Sequence, residues 1–144
     1  MNQSKRLFRS AALFAATLFT TSLTALPGLA AGEVYPADVA KKYPKSFAAY
    51  QRIIPAAWRK SAWVYRLEGV AEPVRVIDYS GSKFVLGQVC KPHDCGANQL
   101  TFLVAVDGSA AYAQANSFDL TQAKDVVLGK PDAEAKKILA KGLD

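Results

Sequence analysis

Two periodicities divide the chain. In the first half, apolar positions recur at helical spacing: Phe47, Tyr50 and Ile54 fall at i, i+3 and i+7 and line one helix face. Ser46 stands where an N-cap belongs. Pro55 ends the run, because proline lacks the amide hydrogen and clashes with the preceding turn. A shorter helix is expected from Pro36 toward Lys42, with proline in its first turn. Between Ala56 and Gly69 neither period holds. That stretch, with Trp58, Trp63 and Tyr65, reads as irregular chain feeding an extended segment.

From Val74 the period shortens to two. The run PVRVIDY alternates, SGS at 80–82 signals a turn, and KFVLGQVC follows as a second strand. After a loop at 91–98 comes LTFLVAV at 100–106, then DGS at 107–109 turning into AAYAQA. Short turns between strands imply an antiparallel meander. Leu103 and Ala105 share one face of the third strand, and Phe102, Val104 and Val106 the other. Both faces are apolar, so both need cover. DVVL at 125–128 reads as a fifth strand. Pro131 opens a last helix whose stripe is Ala135, Ile138 and Leu139 and whose C′ residue is Gly142. Asp132 and Glu134 near its start, and Lys136, Lys137 and Lys141 toward its end, complement the helix dipole. The expected class is α+β: an antiparallel sheet of about five strands with flanking helices, in one domain over residues 32–144.

Residues 1–31 fit none of these elements. Lys5, Arg6 and Arg9 precede an apolar run from Ala11 to Phe19, and small residues follow at Gly28, Ala30 and Ala31. This is the layout of a cleaved secretory signal peptide, cut after Ala30 or Ala31. Thr17, Thr20, Thr21 and Ser22 interrupt the run, which is short for a membrane span of about 20 apolar residues. The expected destination is a periplasm, where thiols are oxidised. Cleavage leaves 15 basic and 12 acidic side chains, a charge of +3. So mild a balance favours solubility and calls for no nucleic-acid partner. After cleavage no membrane partner is expected either. An isologous dimer leaves no mark in such a sequence, and that option stays open.

Both cysteines and the single histidine lie within CKPHDCG, residues 90–96, on the loop between the two most apolar strands. A metal site there would use Cys90, His93 and Cys95, with Asp94. Structural zinc wants four ligands in tighter pairs, and there is no second cysteine pair. A redox couple prefers C-x-x-C at a helix start, whereas here four residues intervene between strands. Nucleophilic hydrolysis needs a partner for His93 and an orienting carboxylate, and G-x-S-x-G is absent. A thiol- or metal-dependent enzyme using Cys90, His93 and Cys95 remains as an alternative. The simplest outcome in an oxidising compartment is a Cys90–Cys95 disulfide. The chain-entropy model gives about 2 kcal/mol for so small a ring, little for a whole domain but enough to fix one loop. A staple plus Pro92 would leave few conformations to Lys91, His93 and Asp94, which favours binding. No cofactor or metal is called for.

The segment from Cys90 to Gly96 resembles the signature loop of the Ivy family, the periplasmic inhibitors of vertebrate lysozyme. The likeness extends over roughly residues 45 to 115. It takes in a helix ending at Pro55 with Trp58 nearby, a strand pair leading into the loop and an apolar strand leaving it. The resemblance implies a non-enzymatic protein whose loop protrudes from an antiparallel sheet and plugs the cleft of a C-type lysozyme. His93 would contact the two catalytic carboxyls. Cys90 and Cys95 would form the staple, and Lys91, Pro92, Asp94 and Gly96 would complete the inhibitory loop. Members of this family have also been linked to restraining endogenous lytic transglycosylases, which have a similar cleft.

Two further groups of residues read as packing. RIIPAAWRKSAWVYR mixes Arg52, Arg59, Lys60 and Arg66 with Trp58, Trp63 and Tyr65. It could stack on nucleic acid or a cell-wall polymer, but core aromatics beside solvated charges are the expectation. Tyr112 and Phe118 are expected to pack as well.

Overall fold

At Ser80 and Gly81 the backbone takes φ of +50° and +76°, the pair of left-handed residues that a two-residue type I′ hairpin requires. That turn joins β2 (Arg75–Tyr79) to β3 (Ser82–Cys90). A two-residue strand, β1 (Val70–Ala71), pairs with the far end of β3, so β1 and β2 share one of its edges. Beyond β3 the sheet runs antiparallel through β4 (Asn98–Ala105), β5 (Ala111–Ser117) and β6 (Asp125–Leu128). These facts come from a computed structural model, which describes residues 32–143. The leader expected at residues 1–31 lies outside them.

Each face of the sheet has cover. α1 (Val39–Lys42), α2 (Pro44–Ile53) and the segment from Ala56 to Leu67 bury Val39, Tyr50, Ile54, Trp63 and Leu67 against Val85, Val89, Phe102 and Val104. On the opposite face, α5 (Ala133–Lys141) presses Ala135 and Leu139 against Phe84, Leu86, Leu103 and Ala105. The alternation read in β4 is therefore the division between two cores. Asp132 caps α5 by accepting from the Ala135 N–H at 2.8 Å. Gly142 closes the helix at φ +69°, its N–H donating to the Ile138 carbonyl. The Ala135 amide first, and then the Tyr79 hydroxyl, hold the Asp132 carboxyl below its usual range. The same bond to Asp132 pushes Tyr79 up to about 12.

Three expectations need correction. Ser46 is no cap: α2 begins at Pro44, and the Ser46 hydroxyl, fully buried, donates to the Ala105 carbonyl at 2.9 Å. Proline in the first turn starts that helix earlier than the serine suggested. The stretch from Ala56 to Gly69 is not irregular throughout. It forms a 3₁₀ turn at Ala56–Trp58 and a short helix, α3 (Ala62–Tyr65). Tyr50 ties this stretch to α2, its buried hydroxyl donating to the Val64 carbonyl at 2.6 Å. Finally, a short helix not read from the pattern, α4 (Phe118–Thr121), follows β5. The tryptophans behave as expected: Trp58 and Trp63 are buried, while Arg52, Arg59, Lys60 and Arg66 are exposed.

Candidate functional site

The two central strands, β3 and β4, deliver the loop. Their ladder stays in register to its last pair, Cys90 opposite Gln99, so the loop at 91–97 springs from paired backbone on both sides. Cys90 and Cys95 are joined in a disulfide, with Cα atoms 4.9 Å apart. Joined sulfurs offer no thiolate, so in this form neither cysteine can serve as nucleophile or metal ligand.

Inside the ring the chain makes a tight turn. The Asp94 N–H donates to the Lys91 carbonyl at 3.0 Å, with Pro92 and His93 between them. Pro92 presets φ at the second position of a turn, and His93 takes φ +67° at the third. Glycine or asparagine usually fills that third position, since a left-handed backbone costs other residues about 1–2 kcal/mol. The bend carries His93 to the surface, and Pro92 is exposed beside it. Gly96 is exposed too, and a Cβ added there would meet nothing within 4 Å. A recess of about 240 Å³ beside the staple is lined by residues such as Val70, Glu72, Cys90 and Gln99 and by none of Lys91 to Asp94. His93 thus sits exposed on a turn outside that recess, whereas binding pockets for small substrates enclose their ligands.

The other loop residues face the fold. Asp94 accepts from the Asn98 side-chain amide at 2.8 Å. Asn98 is fully buried, and its carbonyl oxygen accepts from the Ser117 hydroxyl and from the Asp119 N–H. Ser117, equally buried, caps α4 by accepting from the Leu120 N–H at 3.2 Å. On the other side of the loop, the Lys91 ammonium pairs with the Asp119 carboxylate. That hydrogen bond, more than the charge alone, raises the Lys91 pKa. The Ala97 carbonyl accepts from the Phe118 N–H at 2.8 Å. Side chains and backbone alike therefore bind the loop to the start of α4.

The sequence named Lys91, Pro92, His93, Asp94 and Gly96 together. The structure separates them: Pro92, His93 and Gly96 lie outward, whereas Lys91 and Asp94 are half-buried tethers. Asn98, Ser117 and Asp119 were missed. Their signals were an asparagine at a strand start, where that residue is scarce, and Ser-Phe-Asp-Leu, an N-cap followed by an acidic first turn. Of the two aromatics expected to pack, Tyr112 stacks against Phe84. Phe118 does not pack; it is 68% exposed. Among the described residues, no group of three or more His, Cys, Asp or Glu side chains is placed to hold a metal ion.

A family model described as inhibitor of vertebrate lysozyme (Ivy) matches residues 48–123, just over half of the chain. The match contains the loop, its tethers and Phe118. A Pseudomonas aeruginosa protein named as uncharacterised is 30% identical over 100 residues, covering 63% of this chain and 64% of that protein. From the same organism, a protein named inhibitor of vertebrate lysozyme is 42% identical over 50 residues, 35% of this chain and 33% of its own length. The chain thus spans less than two thirds of the length of these curated relatives.

Proposed function

The chain belongs to the Ivy family, the inhibitors of vertebrate lysozyme, and from that premise we propose that it blocks a C-type lysozyme by seating the Cys90–Cys95 loop in the enzyme's cleft. The observation that carries this reading is the presentation of His93: an exposed imidazole at the tip of a loop closed by a disulfide and tethered through Asp94 and Lys91.

The chemistry suits such a target. A retaining glycosidase of the lysozyme type holds two carboxyl groups about 5–5.5 Å apart, one kept protonated and one ionised. An imidazole carries two polar nitrogens on different edges of one ring, so a single side chain can address both groups. Hydrogen bonds to a charged partner contribute about 1.5–3 kcal/mol each. Because the staple and tethers have already ordered the loop, little conformational entropy is left to lose on binding. The inhibitor performs no bond chemistry; it occupies the place of the glycosidic bond. Residues 1–31, with their basic start and apolar run, support export to a periplasm.

The test is a turbidity assay of cell-wall lysis by a C-type lysozyme, with the wild-type protein and with His93→Ala. Inhibition by the wild type and a loss of at least tenfold in the folded variant are expected. An equal inhibition constant for the two would remove His93 from the mechanism.

A further inference from the structure

We infer that Phe118 and Val70 form an apolar seat on either side of the stapled loop, which rests on the lip of the lysozyme cleft while His93 enters it. This inference rests on the inhibitor reading above.

Among the described residues, the aromatic side chains of Tyr50, Trp58, Trp63, Tyr79, Phe84 and Phe102 are buried, and five large hydrophobic side chains are exposed: Tyr35, Val70, Val76, Phe118 and Val127. Phe118 and Val70 are the exceptions that matter here. Phe118, at 68%, is the most exposed large hydrophobic side chain among the described residues, and Val70 follows at 53%. Single exposed apolar residues need no explanation, but these two join the backbone of the candidate site at its two ends. Val70 lies directly opposite Cys90 in the β1–β3 ladder. The Phe118 amide donates to the loop carbonyl of Ala97. One residue therefore joins the loop at its incoming strand and the other at its outgoing end, with exposed Pro92 and His93 between them along the chain.

The position of Phe118 is fixed by the same groups that cap α4 and tether the loop. Ser117, immediately before it, is buried and bonded to Asn98, and Asp119, immediately after it, is bonded to Lys91 and Asn98. The same network that orders the tip thus orders the aromatic residue. An aromatic side chain on ordered backbone loses little freedom when it is covered, and aromatics are enriched at the centres of protein interfaces. The continuity of these two residues with the loop makes the enzyme that receives the loop the occupant, in preference to a second copy of this chain.

The experiment compares wild-type protein, Phe118→Ala, Phe118→Leu, Val70→Thr and His93→Ala for inhibition of a C-type lysozyme, for melting temperature and for sedimentation. The expected results are a rise of about tenfold or more in the inhibition constant for Phe118→Ala, mainly through faster dissociation, and a smaller rise for Val70→Thr. Phe118→Leu should retain most of the inhibition, and melting temperatures should stay near the wild-type value because neither residue is buried. Unchanged inhibition by Phe118→Ala, with His93→Ala defective, overturns this inference and leaves the inhibitor reading standing. No effect from either Phe118→Ala or His93→Ala sinks both. A wild-type dimer that Phe118→Ala converts to monomer at full inhibitory strength assigns the patch to a second copy and overturns the inference.

Discussion

The carboxylate of Asp94 accepts a hydrogen bond from the side-chain amide of Asn98 at 2.8 Å, across the span that the disulfide loop must bridge. Asn98 is fully buried, so its amide has no water to turn to if Asp94 is removed. Asp94 acts inward, as the tether of the tip. Asp94→Ala should weaken inhibition by loosening the loop, and Asn98→Ala should do so as well while also costing about 1–3 kcal/mol of stability from its unpaired neighbours. Inhibition constants beside urea unfolding curves check both. If Asp94→Ala inhibits as well as the wild type, the tether has no role in presentation.

His93 sits at φ +67°, where glycine is at ease and other residues are strained. His93→Gly is therefore expected to raise the unfolding free energy by up to about 1 kcal/mol over His93→Ala, while both variants lose inhibition. Stability and function would then move in opposite directions at one position. A His93→Gly protein less stable than His93→Ala would contradict the left-handed turn.

The cap of α5 should respond to acid. Hydrogen bonds from the Ala135 amide and then the Tyr79 hydroxyl hold the Asp132 pKa below its usual range in the folded protein. A carboxyl depressed by folding adds stability above its unfolded pKa, and that contribution fades as pH falls through the folded value. Asp132→Ala should thus melt below the wild type at neutral pH, and the gap should close in acid, below the ordinary carboxylate range. Thermal melts across that range test the sign; a gap that widens in acid would reverse it.

Where local pattern and tertiary need agreed, the fold was legible. The strands of β2 to β6, the turns after Tyr79 and Val106, and the α5 stripe with its closing Gly142 all follow from residues within a few positions of one another; the N-cap role of Asp132, which the sequence placed inside the first turn, was missed. Ser46 misled because its partner, the Ala105 carbonyl, lies 59 positions away, and local capping logic cannot see such a bond. The loop itself stood out as a cluster of unusual residues. Its tethers did not, since Asn98, Ser117 and Asp119 come together only once β4 pairs with β5. Phe118 was misjudged on the ordinary expectation that an aromatic residue is buried; it is 68% exposed.

Gly96 carries a different expectation from the rest of the motif. A Cβ there meets nothing within 4 Å, and its φ is not positive, so nothing in the free protein demands glycine. Gly96→Ala should leave the melting temperature unchanged. A loss of inhibition at unchanged stability would locate its need in the space taken by the partner.

The staple is the last point at which presentation and stability can be separated. A ring of this size contributes about 2 kcal/mol in the chain-entropy model. The two cores on either side of the sheet do not depend on it, since their buried residues lie outside the loop. Replacing both Cys90 and Cys95 by serine should therefore lower the melting temperature by only a few degrees. Its effect on inhibition should be larger, because the tip then relies on Asp94 and Lys91 alone and must be ordered on binding. Combining the double serine variant with Asp94→Ala should cost more than the two separate losses together, as both restrain one short segment. Inhibition constants and melting temperatures for the four proteins form the cycle. If removal of the disulfide lowers stability and inhibition in equal proportion, the ring serves the fold and not the delivery of His93.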